Sequence, residues 1–424
     1  MKNLITGLML IVAVSLIFTN QVFTGGFQIN EHGAKAMGMG GAFTAQASDP
    51  SAIFFNPAGL GFQKGVNVLL GTTLIFPSTK FTGPTPSTKE TKMESQIFFP
   101  SNLYATYSMD NGLSFGLGVY NPYGLGTEWP ADWVGNRISV KTDLKSFYIN
   151  PTVAYRVMDD LAIGVGFSYV ISNVELSFKS ATYSSLVPPT PSAKLGNANL
   201  EADGNGVNFN AGIIYQPDKD LKLGVAYRHS TEIDFSGKAN FTDMQALASF
   251  FPGGDGKTTI TLPSSLSLGA SVNVSPELVL NSDIQFVGWS SYDSLVVDIT
   301  KGPNFPLTPG QPLQKGSASG KNWKNAMIFR IGGEYQYKEF AFRLGYIYDV
   351  TPQPAEKVEP MLSDANRSEF TLGIGYKISD NLHIDAAYQL ILFEDRIVEY
   401  SDIPFNGTYK SNAHLFGINV GYQF

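Results

Sequence analysis

From about residue 65 to its last residue, the chain alternates apolar with small or polar side chains at every second position. In His414–Phe424 one face carries Phe416, Ile418, Val420, Tyr422 and Phe424, and the other carries Leu415, Gly417, Asn419, Gly421 and Gln423. The same period runs through Leu161–Ile171, Ser265–Val274 and Phe370–Lys377. A period of two puts successive side chains on opposite faces of a strand. Beyond the first 24 residues no apolar run approaches the ~18 residues that signal a spanning helix. A soluble sandwich also alternates, but it rarely sustains strands this long with small or polar residues on the second face throughout.

Composition points the same way. Charged residues make up 15%, well below the ~25% of soluble domains, while aromatics reach 13% and Gly accounts for 43 of 424 residues. An all-β transmembrane antiparallel barrel has this signature, because only alternate positions face lipid. The formal charge of -7 argues against nucleic acid as a partner. The absence of Cys excludes disulfides and thiolate metal sites. Residues 1–24 have the form of a signal peptide: Lys2, then the apolar stretch Leu4–Phe18, then Val22-Phe23-Thr24.

The pattern predicts about fourteen strands, near 66–76, 101–109, 112–120, 144–157, 161–178, 203–216, 220–236, 258–274, 277–298, 324–337, 339–350, 367–378, 382–399 and 411–424. Short turns follow the even strands and long loops the odd ones, the asymmetry of outer-membrane barrels. Both chain ends then fall on the periplasmic side. Residues 63–424 are assigned to the barrel and Gly25–Leu60, which lacks the alternation, to a separate unit spanning 25–62.

The predicted lumen face carries Arg228, Arg330, Glu334, Arg343, Asp349, Lys377, His383 and Asp385, read mainly as paired charges wedging the interior. No HExxH or GxSxG motif occurs, so no catalytic residue, metal site or cofactor is assigned. In the loop Phe241–Phe251, Met244, Leu247, Phe250 and Phe251 stand at helical spacing, read either as a loop helix packed on its neighbours or as the candidate apolar capture surface. Trp129 and Trp133 are read as loop contacts, a landing surface or interface-belt aromatics.

Gly26–Asn30, Ala36–Gly41 and Ile53-Phe54-Phe55-Asn56-Pro57-Ala58-Gly59-Leu60 together resemble the start of the FadL-type family of bacterial outer-membrane transporters. The likeness continues through Tyr123–Trp129, Trp133-Val134-Gly135 with Arg137, Leu262–Ser265, Gly288-Trp289-Ser290, Asn322-Trp323-Lys324, Arg343–Tyr346 and Asp349–Pro352. Two departures are visible, Asn136 between Gly135 and Arg137 and Ser363 before Asp364. The resemblance implies a fourteen-stranded barrel whose N-terminal segment forms a hatch in the lumen, positioned by Asn56, Pro57 and Ala58. It also implies a kinked third strand leading into Asn121, Pro122 and Gly124. Pro cannot donate to a ladder and Gly permits sharp bends, so an inward kink there opens a gap in the wall.

The expected function is passive uptake of hydrophobic molecules across the bacterial outer membrane, long-chain fatty acids foremost. Solute is captured at apolar outer loops, the hatch moves, and release is lateral through the wall gap. The alternatives are aromatic hydrocarbons by the same route, as in relatives such as TodX, or a general diffusion porin. Expected partners are these small molecules, outer-membrane lipid and lipopolysaccharide, with the chain acting as a monomer.

Overall fold

The structure is a computed structural model that describes residues 25–299, 317–399 and 405–424. The signal-peptide assignment lies outside the described residues. Among those residues fourteen spans form one closed antiparallel barrel. They are β1 (Gly65–Thr82), β2 (Ser101–Ser108), β3 (Leu113–Tyr120 and Gly124–Glu128), β4 (Lys141–Met158), β5 (Leu161–Ser180), β6 (Gly196–Asp218) and β7 (Leu221–Arg228 and Thr231–Thr242). They continue with β8 (Gly254–Leu262 and Ser265–Asn273), β9 (Leu278–Val287 and Ser294–Ile299), β10 (Ser317–Gly320 and Ala326–Tyr337), β11 (Phe340–Asp349), β12 (Arg367–Lys377), β13 (Leu382–Phe393 and Arg396–Val398) and β14 (Gly407–Gln423). Closure is made by β1 against β14, in register from Asn67↔Gln423 to Thr82↔Thr408. Closing the sheet removes the edges that lipid cannot hydrogen-bond.

The strands face as the alternation requires. In β2, Leu103 and Tyr107 point outward and are exposed, while Asn102, Tyr104, Thr106 and Ser108 are buried inside. Several strands run further at their outer ends than expected: β6 starts at Gly196 rather than 203, and β14 at Gly407 rather than 411. Above the membrane both faces of a hairpin can be polar, so ladder pairing continues where the apolar signal has stopped.

Residues 25–62 lie in the lumen. They form α1 (Ala34–Gly38), α2 (Ala52–Phe55) and a 3-10 segment, Pro57–Phe62, joined by turns. Pro57 is the first residue of its segment, where its missing N–H costs nothing. The segment sits on lumen-facing glycines of several strands. A methyl group on Gly164 (β5) would overlap Pro57, on Gly212 (β6) Asn56, on Gly224 (β7) Thr44, on Gly332 (β10) Met39 and on Gly345 (β11) Gly40. The small residues on the inner face therefore let backbone approach backbone.

This irregular segment finds its hydrogen bonds in wall side chains. Asp283 accepts from the Phe43 and Thr44 N–H groups, both at 2.9 Å. Asn419 accepts from Ala34 N–H at 2.7 Å, and Asn210 and Arg228 donate to the Ile53 and Phe54 carbonyls at 3.0 and 2.8 Å. Buried backbone polar groups need such partners.

Two ion networks brace the interior. Arg343 bonds Glu334 and Asp385, both at 2.6 Å. Arg367 bonds Asp349 at 2.5 Å and lies 2.9 Å from Glu369. Two residues assigned to the lumen face lie on it but at its rim, outside these networks. Lys377 is exposed in the short-turn region and pairs with Asp380 at 2.8 Å, and His383 is half-buried, its ring on Gly421 of the inner face and 3.6 Å from Asp385. Parity fixed their face, but both lie near the strand ends at the solvated rim.

Candidate functional site

The kinked strand is the centre of the site. On its β4 side β3 pairs as Tyr120↔Tyr148 and then Gly124↔Lys145, so one extra residue bulges out between them. On its β2 side the ladder runs from Ser108↔Ser114 to Leu103↔Val119. Above that pair, the next backbone bond between the two stretches among the described residues is Glu94 N–H to the Glu128 carbonyl, 2.8 Å. Between these points the wall has a window.

Asn121, Pro122 and Gly124 lie at this bulge. The Asn121 side chain accepts from Ser101 N–H at 3.2 Å and donates to the Ser146 carbonyl at 2.7 Å, tying off backbone groups the bulge releases. The Pro122 carbonyl accepts from Ile29 N–H at 2.9 Å, and Gly124 N–H donates to the Phe27 carbonyl at 3.0 Å. The lumen segment thus takes up bonds on β3 that β2 does not make here.

A cavity of about 690 Å³ reaches this window. Its inner wall includes Ile75, Pro77, Ile391 and Leu415. It is bounded at the window by Asn121 and Tyr123–Thr127, and outside by Phe99 and Phe147, which face the membrane with 68% and 47% of their surface exposed. A second, smaller apolar cavity of about 60 Å³ shares Phe27, Leu125, Leu144 and Leu362 with it. At the edge of the smaller cavity Lys321 and Glu359 form a buried ion pair.

Phe27 lines both cavities. Its ring packs edge-on against Trp289 and Tyr292, at 4.9 and 5.5 Å between centroids. The chain just before it is held by Asp364, whose carboxylate accepts from Gly26 N–H at 2.9 Å and from the Thr351 hydroxyl. Burial pushes the Asp364 carboxyl above the usual range, with the Arg367 charge and the Thr351 hydroxyl opposing.

Asn56 is fully buried on the far side of the segment. Its Nδ2 donates to the Thr44, Ile213 and Val225 carbonyls at 2.8, 3.2 and 3.3 Å, and its Oδ1 accepts from Ala58 N–H at 3.1 Å. One side chain therefore ties the segment to β6 and β7. Asn56→Ala leaves those carbonyls short of a donor, at a cost of about 1–3 kcal/mol. The expected result is faster hydrogen exchange at the Ala52–Leu60 amides while the strand amides stay protected. Equal exchange in both proteins would remove Asn56 as the tie.

The outer loops differ from expectation. Phe241–Phe251 contains only a three-residue 3-10 turn, Ala248–Phe250. Met244 and Leu247 are buried, and Phe250 and Phe251 are half-buried. Helical spacing over so short a stretch does not make a helix without a partner surface for its apolar face. Trp129 and Trp133 are neither a landing surface nor a belt. They stack at 4.2 Å and are buried with Phe81, Met93, Phe405 and Tyr409 in an apolar cluster of the outer loops.

Residues missed by sequence reasoning are Phe27, Phe98 and Asp364 in roles at this site. The spacing Gly124-x-Gly126 was the available signal for side chains packed against β3. Among the described residues no group of three His, Asp or Glu is placed to hold a metal ion.

The family described as outer membrane protein transport protein (OMPP1/FadL/TodX) matches residues 15–424. The chain is 25% identical over 460 residues to the long-chain fatty acid transport protein of Escherichia coli K12, covering all of this chain and 99% of that one. It is 26% identical to a putative outer membrane protein of Neisseria meningitidis serogroup B, covering 95% of each. Among solved structures, a Pseudomonas aeruginosa FadL homologue superposes with a TM-score of 0.82 at 19% identity, over 94% of this chain and all of that one. The Ralstonia pickettii toluene transporter TbuX gives 0.69 at 21% identity, over 92% and 98%.

Proposed function

The chain belongs to the OMPP1/FadL/TodX family of outer-membrane transport proteins, and from that premise we propose that it takes up long-chain fatty acids passively and releases them sideways into the outer membrane. The observation that carries the reading is the cavity that extends from apolar side chains inside the barrel to the β2–β3 window, where membrane-facing side chains border it. An alkyl chain gains about 0.8 kcal/mol for each CH₂ taken out of water, so an apolar route offers a gain that a water-filled channel lacks. The half-buried rings of Phe250 and Phe251 serve as first contact at the outer mouth. Residues 25–62 act as the hatch, held by Asn56-Pro57-Ala58 behind and by Asp364 in front. Its movement joins the two cavities that Phe27 lines. In this reading the barrel works as a monomer, surrounded by outer-membrane lipid and lipopolysaccharide.

The full-length likeness to fatty-acid transport proteins favours that substrate class. Aromatic hydrocarbons by the same route are the second reading, supported by the toluene transporter's similar fold.

Gly124→Trp tests lateral release. A side chain there meets Ile29 at 2.9 Å and fills the window. The expected result is a loss of hexadecanoic acid uptake of about tenfold or more, since each ~1.4 kcal/mol of added barrier gives that factor. Uptake is measured in cells lacking their own outer-membrane fatty-acid transporter, with folded barrel confirmed by its gel mobility before and after heating. Undiminished uptake would mean that solute leaves by another path. Toluene carried in preference to hexadecanoic acid by the unaltered chain would establish the second reading.

A further inference from the structure

The window is covered from the inside by one aromatic ring. Phe98 continues the line of β2 above its break: the Thr72↔Ser101 and Ile75↔Phe98 pairs share one register against β1. Two hydrogen bonds to Ile75, 3.0 and 2.8 Å, fix the Phe98 backbone to β1. Its ring lies across the window on Gly126 of β3, where a methyl group would coincide with the ring. Beside it Ile29 of the lumen segment packs on Gly124. Its chain neighbours Ile97 and Phe99 point outward, 57% and 68% exposed, so the ring marks the line between lumen and lipid.

We infer that Phe98 is the gate of the lateral exit and sets which cross-section of solute passes, an inference that rests on lateral release. The backbone is held and the large cavity lies beside the ring, so opening is a rotation of the side chain and not a separation of strands. Side-chain rotations are fast compared with collective movement of packed elements. A linear alkyl chain passes once the ring turns aside. A fused-ring solute needs the space that the ring itself occupies. Gly126 is small because the closed ring rests on it.

The test compares uptake of hexadecanoic acid with that of 1-pyrenedecanoic acid. Phe98→Ala is expected to raise the pyrene-to-linear ratio by about tenfold, the discrimination that a hydrophobic pocket makes over a group or two. Phe98→Trp lowers it. Gly126→Ala evicts the ring and moves the ratio in the same direction as Phe98→Ala, and the double variant adds nothing further, because both changes act on one contact. An unchanged ratio in folded Phe98→Ala, or independent effects in the double variant, overturns the gate. If Gly124→Trp blocks both acids while Phe98→Ala leaves the ratio alone, the gate fails and lateral release stands. If Gly124→Trp blocks neither, both fail.

Discussion

Gly332→Phe is expected to turn a sealed barrel into a conducting one. Gly332 lies inside β10, directly opposite Gly345 of β11, and these two glycines receive the turn at Met39 and Gly40. A side chain at 332 collides with the Met39 carbonyl, which is backbone and cannot rotate away. Met39 is fully buried, so the turn has nowhere to settle but further into the lumen. Overpacking of this kind costs about 1–3 kcal/mol. That shifts the ratio of seated to unseated segment by about 5- to 150-fold. The readout is ion conductance in planar bilayers, together with cell sensitivity to large polar antibiotics. Gly333→Phe is the control: its side chain belongs to the opposite face of the same strand, against Leu280. Unchanged conductance in Gly332→Phe, with the barrel folded, would show that the wall glycines do not seat the segment.

The second large effect concerns the barrel itself. Arg343 of β11 reaches Glu334 directly opposite on β10, and crosses β12 at Gly375 to reach Asp385 of β13. All three side chains are mostly buried. Arg343→Met leaves two carboxylates facing each other without their cation, a loss of about 3–5 kcal/mol. Lys35 stands 3.8 Å from Glu334 and offsets part of that. The expected result is a lower urea midpoint for the refolded barrel. Combining Arg343→Met with Glu334→Gln and Asp385→Asn removes the stranded charges and recovers most of the loss. A triple variant as unstable as the single one would place the stabilisation in the shape of Arg343 and not in its charge.

Much of the architecture was legible because strand faces are a local property. Leu103 and Tyr107 face lipid and Asn102 and Thr106 face inward, as the period of two requires, and fourteen spans with closure of β1 on β14 follow the sequence count. The N-terminal segment stood out because it lacked that period. The roles given to Asn56 and to Asn121-Pro122-Gly124 rest on the family likeness, since nothing in their local pattern states what they touch. For Trp129, Trp133, Met244 and Leu247 the sequence left loop packing and an exposed apolar surface both open, and the structure buries all four. An apolar residue in a loop looks exposed until the loops that bury it are known.

By itself, then, the sequence determined an exported-type β-barrel chain, its strand number, the face of most side chains and a non-strand segment near its start. Each of these follows from residue order over a dozen positions or fewer. Tertiary structure decided where that segment seats, which charges pair, and that β2 and β3 stop pairing beyond Leu103 and Val119. Those outcomes depend on register between strands and on contacts such as Gly26 with Asp364, which lie 338 residues apart. The Phe98 ring on Gly126 is of the same kind. The reason is physical: alternation is written into one strand, but a window is an absence of pairing between two, and it exists only once both are placed.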